Sequence, residues 1–540
     1  MDFVTPERAD VLIIGAGASG GVVGLRLAQA GFKVICLEQG RWHDRAEFPG
    51  PKPDWELRMR KQWSPDPNVR RNPEDYPVND RDSEITPLMF NGVGGSMTLF
   101  AGDWPRMLPS DFRVRTLDGV ADDWPLTFEE LDLYYTRIAR QVGVSGLAGD
   151  PAYPESEDYP LPPLPLGDGG MDVARAHDRL GWHWWPAPNA ILSAPYQGRH
   201  ACAQWGSCMQ GCPEAAKAST DVTHWPEAQT CGARVVTGAR VVRIVLGPRG
   251  LVKGVEYLDV HGHMHFQEAD VVVLAANAIG SARLLMMSAA NGFPEGLANS
   301  SGLVGKRLMM HPFAIVTGVF DRFMKTWQGN VGSRIHCLQF YETDCSRGFV
   351  RGAKWSMAPS TGGPMNAALP ERAGKGVWGP GHHRLVKERF GHCLSWGIFG
   401  EDLPDEGNRV ELDESLTDET GLPAPKIKYH VSDNSRRLLD FHVARASESL
   451  LEAGAHRVDS LTIMRDGGWH LLGTARMGVD RANSVVDPWG KTHDVPNLYI
   501  IDGSVFVTCG GVNPTNTICS LALRFADHMV DRRAEQRVPA

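Results

Sequence analysis

The sequence predicts an α/β protein, and three stretches carry that prediction. Residues 11–40 read as strand, tight turn, helix and strand: Val-Leu-Ile-Ile, then Gly15-Ala-Gly-Ala-Ser-Gly20-Gly, then Val22 to Ala30 at helical spacing, then Lys33-Val-Ile-Cys-Leu-Glu38. Ala269-Asp-Val-Val-Val-Leu-Ala-Ala276 is a nearly continuous apolar run, the pattern of a strand covered on both faces, and it feeds a helix at Ser281-Ala-Arg-Leu-Leu285. Between these stretches, residues 233–237 and 241–245 read as two further short strands.

At 540 residues and 42% hydrophobic content the chain buries a large core and holds material for about two to four domains. Its formal charge of -9 is spread along the sequence. Neither a basic patch rich enough for nucleic acid nor a lysine-rich amphipathic helix for a membrane surface is present, so a small-molecule partner is expected. The first ten residues are polar and acidic and do not read as a signal peptide. No apolar run reaches the roughly 18 residues that a membrane span requires. A cytoplasmic location is expected, where cysteines stay reduced.

Residues 41–88 are charged and proline-rich without periodicity and read as a long excursion from the first βαβ unit. A second glycine cluster, Asn91-Gly-Val-Gly-Gly-Ser96, follows. Residues 151–170 hold six prolines between Pro151 and Pro165 and read as an ordered connection or a surface loop. The cluster Trp182-His-Trp-Trp185 suits core packing better than stacking on a sugar ring. Residues 356–383, rich in Gly and Pro, read as a candidate mobile loop, and no internal repeat is visible.

Gly15, Gly17 and Gly20 give G-x-G-x-x-G directly after an apolar strand and opening a helix, and Glu38 closes the next strand. Each part has a physical task at a dinucleotide. The glycines let the backbone approach a pyrophosphate, the helix N-terminus offers it unpaired N–H groups, and the carboxylate accepts from a ribose hydroxyl. On this motif alone FAD and NAD both remain open.

The C-terminal third separates them. Trp469-His-Leu-Leu-Gly-Thr-Ala-Arg-Met-Gly478, Asn497-Leu-Tyr-Ile-Ile-Asp-Gly-Ser504 and Gly510-Gly-Val-Asn-Pro-Thr-Asn-Thr517 before a helix resemble the glucose-methanol-choline (GMC) family of FAD oxidoreductases. The resemblance continues through Gly94-Gly-Ser96, Ala276 to Leu285, Gly302-Leu-Val-Gly-Lys-Arg-Leu-Met-Met-His-Pro312 and Asn408-Arg-Val-Glu-Leu412. It implies a discontinuous Rossmann-like FAD-binding domain over residues 1–130, 200–318 and 466–540. A substrate domain on a mostly antiparallel sheet would then comprise 131–199 and 319–465, with selectivity residing within 320–465. The resemblance places Gly94, Gly95, Ser96, Val241, Ala276, Asp502 and Asn513 around the FAD, with Gly15, Gly17, Gly20 and Glu38. Some relatives bind FAD covalently through a histidine shortly after the Gly-Gly turn. Here that place is Met97-Thr-Leu-Phe100, and Leu99 cannot form the bond, so non-covalent FAD is expected.

Oxidising an alcohol requires a base for the hydroxyl proton and a second polar group for the oxygen, while the flavin takes the hydride at N5. The family pattern puts His470 and Asn513 in these two roles, and His311 before Pro312 reads as structural. The function implied is oxidation of an alcohol, most naturally a sugar, glycoside or polyol. The alternatives are an oxidase of the same fold that makes hydrogen peroxide and a hydroxynitrile-lyase-type member in which FAD does not turn over.

The run from Cys202 through Cys208 to Cys212-Pro213 has the spacing C-x5-C-x3-C-P, which is the ferredoxin-like C-x2-C-x2-C-x3-C-P with Trp205 in place of one cysteine. Three readings stay open: a three-iron, four-sulfur cluster, a zinc site with His200 as fourth ligand, and structural thiols. A second resemblance bears on the choice, since family members acting on glucose, fructose or gluconate carry a three-iron cluster on a similarly spaced run. With a cluster, electrons leave to a protein acceptor. Without one, oxygen or a diffusible acceptor takes them.

Overall fold

The computed structural model describes residues 7–326, 329, 333–359 and 379–533. Most of the Gly- and Pro-rich stretch expected to be a mobile loop, residues 360–378, lies outside them. The expected βαβ unit is present as β1 (Ala9–Ile14), α1 (Ala18–Gln29) and β2 (Val34–Glu38). Both strands are buried along nearly their whole length, as their apolar runs require. They pair in parallel, with Val11 opposite Val34.

The apolar run at 269–276 belongs to a longer strand, Met264–Leu274, which serves two partners in turn. Its first half pairs antiparallel with Val252–Leu258, itself antiparallel to Arg240–Leu246. Its second half runs parallel between β1 and Leu498–Ile500. The expected strand at 233–237, observed as Arg234–Thr237, adds to the far side of β2. The helix expected at Ser281 spans Asn277–Met287.

A second, six-stranded sheet is the mostly antiparallel sheet that the family resemblance implies, although its individual strands carry no local signal. Its order is Arg457–Leu461, Phe313–Val319, Cys393–Gly400, Ala353–Pro359, Ile335–Cys337 and Trp185–Pro186, each pair antiparallel. Side chains alternate across its faces with period two. Ala314, Val316, Trp355, Met357, Leu394, Trp396 and Ile398 pack into one core cluster beneath the helices Gly167–Leu180 and Asp433–Glu452, which contribute Val173, Leu438 and Leu439. The opposite face, bearing Phe313, Ile315, Thr317, Ser356, Ser395, Gly397 and Phe399, fronts a large cavity. A three-stranded sheet of Arg409–Thr417, Pro423–Tyr429 and Asn79–Ser83 stands beside these two. Among the described residues, no helix is long and apolar enough to cross a membrane.

Candidate active site

The cavity measures about 1110 Å³ and has walls from both large sheets. That exceeds the roughly 300–1000 Å³ usual for one small-molecule site, so there is room for a dinucleotide and a second, smaller guest. Gly15, Gly17, Glu38, Gly95, Ser96, Val241, Ala276, Asp502, His470 and Asn513 all line it, which brings together most of the residues the sequence singles out.

The glycine turns form its first end. Gly15 has φ +102°, and a Cβ there would lie 2.5 Å from the carbonyl oxygen of Ala275, so both its conformation and its neighbour demand glycine. Gly95, at φ +54°, would bring a Cβ to 2.8 Å from the Cα of Gly17, so the two turns rest directly on one another. Glu38 is buried; its two oxygens accept from the backbone N–H of Ala16 at 2.8 Å and of Gly40 at 2.9 Å. Burial raises its pKa while these backbone donors act the other way. With a further backbone bond from Gly92, the carboxylate still has acceptor capacity for a ligand hydroxyl.

Gly20 and Gly94 do not reach the cavity and act one layer behind it. A Cβ on Gly20 would meet the Gly15 carbonyl oxygen at 2.1 Å, and one on Gly94 would meet Asp221 Oδ1 at 2.6 Å. Leu99 also turns away, into a cluster with Phe48, Trp63 and Phe90. The members of that run that face the cavity are Met97 and Phe100.

His470 stands at the other end. Met309 and Leu472 exchange backbone hydrogen bonds of 2.9 and 3.0 Å, which sets the segments carrying His311 and His470 side by side in antiparallel register. His311 Nε2 lies 2.5 Å from the carbonyl oxygen of Gly510. A carbonyl only accepts, so Nε2 carries the proton and the Nδ1 of neutral His311 is bare. His470 Nδ1, 2.9 Å away, must therefore donate to it, which leaves His470 Nε2 as a free lone pair. Burial holds His311 at about 4. Burial, then the His311 ring and the Lys354 ammonium, hold His470 well below the ordinary histidine value of 6.5. Both rings are neutral near pH 7. His311 thus departs from its reading as merely structural, since it dictates which nitrogen of His470 is basic.

Asn513 follows a loop pinned from three sides. Gly510 accepts from His311, the Gly511 carbonyl accepts from Lys354 N at 3.0 Å, and Gly511 N donates to Tyr341 Oη at 2.7 Å. Three buried oxygens on residues of the cavity wall, Asp103 Oδ1, Gln210 Oε1 and Asn513 Oδ1, have no hydrogen-bond partner. All three are acceptors that could take an N–H or O–H, while Arg389 Nε on the same wall is, among the described residues, a buried donor without a partner.

The excursion 41–88 supplies wall residues that no sequence signal marked, among them Trp55, Met59, Ser64 and Val69. Trp182 packs on Phe340 and Trp355, in keeping with core packing. Cys202, Cys208 and Cys212 are half-buried and form no disulfide. They stand behind the wall, to which their loop contributes Gly206, Met209 and Gln210. Among the described residues, the one trio of metal-ligand types whose ligand atoms all lie within 4.8 Å is Asp150, His183 and His336. Its hydrogen bonds speak against a metal: His183 Nδ1 accepts from Leu338 N at 3.0 Å, so Nε2 carries the proton and donates to Asp150 at 2.8 Å.

Comparison with known proteins agrees with this geometry. Residues 174–313 and 404–522 match the N- and C-terminal models of the GMC oxidoreductases. The 2-methyl-1,2-propanediol dehydrogenase of Mycolicibacterium austroafricanum is 41% identical over 97% of this chain and 96% of its own. The chain belongs to the GMC oxidoreductase family. The fructose dehydrogenase large subunit of Gluconobacter japonicus is 28% identical over 97% of this chain and 98% of its own. Among solved structures, pyridoxine 4-oxidase from Mesorbium loti superposes with a TM-score of 0.66 over 96% of this chain and 99% of its own, at 17% identity. As a GMC oxidoreductase the chain is an FAD-dependent enzyme that oxidises an alcohol, and the cavity residues fit that cofactor. The glycine turns suit a pyrophosphate, Glu38 a ribose, and the orphaned acceptors the hydroxyl and N–H groups that FAD and an alcohol both carry.

Proposed function

We propose that this GMC oxidoreductase oxidises a polyhydroxylated alcohol, with His470 as the base and Asn513 as the second polar group on the reacting oxygen. The observation that carries this reading is the chain from Gly510 O through His311 to His470, which leaves a lone pair on Nε2 of a residue lining the cavity. A hydroxyl placed there gives its proton to Nε2, while the Asn513 amide holds the same oxygen. Phe399, 5.5 Å from the His470 ring, and Phe313, 4.7 Å from Phe399, form an apolar wall beside the reacting carbon. Bound FAD supplies the hydride acceptor. The diol and the sugar in the relatives' names support a polyol. In the test, His470→Ala slows anaerobic flavin reduction by about 10²-fold or more while FAD stays bound. Near-normal reduction in that variant would place the base elsewhere.

Two finer readings of the cofactors accompany this one. Met97 and Phe100, the cavity-facing members of their run, offer no nucleophile, which supports a non-covalent FAD that acid precipitation releases into the supernatant. Cys202, Cys208 and Cys212 would hold a three-iron cluster, a one-electron carrier beside the cavity. Lys217 supports that assignment. Its buried ammonium donates to the carbonyls of Met97, Thr98 and Phe100 at 2.8–3.1 Å. Burial lowers its pKa to about 8, and charge on Cys208 and Cys212 opposes that shift. An anionic cluster would neutralise this cation. The measurement is iron per flavin, about three if the reading holds; iron-free protein of full activity would leave the cysteines as structural thiols.

A further inference from the structure

Asp103 is 5% exposed and lines the cavity with Ser356, His470 and Asn513. Its Oδ2 is fully engaged, accepting from Lys354 Nζ at 2.5 Å and from Ser356 Oγ at 2.9 Å. Its Oδ1 is buried and has no hydrogen-bond partner among the described residues. This is a costly arrangement: a buried ion pair breaks even only when its remaining lone pairs are satisfied, and a buried acceptor left unmade loses its full hydration.

The pair is also held in place from the active-site side. Lys354 and Ser356 alternate on one face of the strand Ala353–Pro359, while Trp355 and Met357 fill the core on the other. The backbone N–H of Lys354 donates to Gly511 O, in the loop that ends at Asn513. Its ammonium sits 5.4 Å from the centre of the Phe399 ring, which in turn neighbours His470. Asp103 therefore belongs to the same end of the cavity as the base.

We propose that Asp103 Oδ1 is the anchor for a second hydroxyl of the substrate, so that the enzyme selects diols and polyols over simple alcohols. This rests on the alcohol oxidation proposed above and names the group that reads the substrate. An acceptor with no protein donor calls for an O–H or N–H from the guest. Lys354 already cancels the carboxylate charge and would repel a second cation, so a neutral hydroxyl fits better than an ammonium. A site built to bond a hydroxyl discriminates strongly against the analogue that lacks it, because the buried group is then left unpaired. The same donor chemistry also exists on the flavin, and the experiment separates the two sources.

Anaerobic flavin reduction is measured with 1,2-propanediol and with 1-propanol, for the wild type, Asp103→Asn and the doubly neutral Asp103→Asn/Lys354→Met, which avoids leaving Lys354 buried without its counter-ion. Bound flavin, its absorption spectrum and Tm are recorded for each. The wild type is expected to favour the diol by about 10²-fold or more in second-order reduction rate, and both variants to lose that preference to within about tenfold, with flavin still bound. Equal rates for the two alcohols in the wild type, or a diol preference that survives in the flavin-loaded variants, would overturn the proposal. A preference that survives together with lost flavin or a shifted flavin spectrum would also overturn it and assign Asp103 to the cofactor. Wild-type flavin that neither alcohol reduces, nor any sugar, would instead remove the alcohol-oxidation reading on which the anchor depends.

Discussion

His311 and His470 face each other with ring centroids 4.8 Å apart and planes perpendicular, so each ring presents a nitrogen to its neighbour's edge. The proton order along Gly510, His311 and His470 has one solution, and it makes the cavity-facing nitrogen the basic one. Replacing His311 with Ala removes the acceptor that selects this tautomer. The limiting rate of flavin reduction should then fall by about tenfold or more, as expected for a base in the wrong tautomer. The acid limb of its pH profile should move upward, because the neighbouring ring that helps hold His470 down is gone. His311→Asn, which keeps an acceptor, should recover part of the rate; a pH profile unchanged in both variants would count against the tautomer assignment. His470 and Asn513 were legible because each sits in a run of family-like residues. Lys354 and Asp103 lie outside such runs, and His311, though inside one, was read as structural, since what gives all three their part is a contact to a residue distant along the chain, which no local pattern encodes.

The two glycine turns act as one element. At Gly95 an added methyl would have to displace the backbone of Gly17, which has no side chain to move aside. Gly95→Ala should therefore lose most of its bound flavin, read as the ratio of visible to ultraviolet absorbance after purification. Gly119→Ala is the control: its φ of +71° carries similar conformational strain, but a Cβ there meets nothing within 4 Å, so flavin should be retained. Equal flavin loss in both variants would show that backbone strain, and not the contact between turns, is what matters. The βαβ unit was readable because its strands are apolar throughout and its glycines are closely spaced. The six-stranded sheet was expected only through the family resemblance, and its strands could not be placed because its cavity face mixes Thr317, Ser356, Ser395 and Gly397 with aromatics, which dilutes the alternation that marks a half-buried strand. The excursion 41–88 is a cavity wall made of short helical turns, for which composition offers no periodic sign.

At the scale of the molecule, one buried cation joins distant segments. Arg351, 1% exposed, bonds Asp111, Asp118 at 3.0 Å and Glu401 at 2.8 Å, and Asp111 also accepts from Tyr341, whose hydroxyl holds Gly511 N. Three carboxylates share one guanidinium. Burial pushes the Asp111 carboxyl up to about 7, with Arg351 opposing and Glu401 reinforcing the shift. A folded-state pKa above the ordinary value of 3.8 means the folded form binds the extra proton. That contribution to stability is complete below about pH 4 and is lost as pH rises through about 7. Asp111→Asn should flatten the decline in Tm between about pH 5 and about pH 8, whereas Arg351→Met, which strands the carboxylates, should cost on the order of 3–5 kcal/mol in denaturant unfolding. A Tm profile of equal slope in Asp111→Asn would place the shared proton elsewhere. The strand Met264–Leu274 has a consequence in time as well as in space. Its parallel half stands between β1 and Leu498–Ile500, so during synthesis it emerges from the ribosome more than two hundred residues before the strand that will cover its open side. Through that interval the nascent chain carries an unpaired, fully apolar edge, the feature most prone to wrong pairing, so chaperone demand should centre on this strand and end only when residues 498–500 arrive.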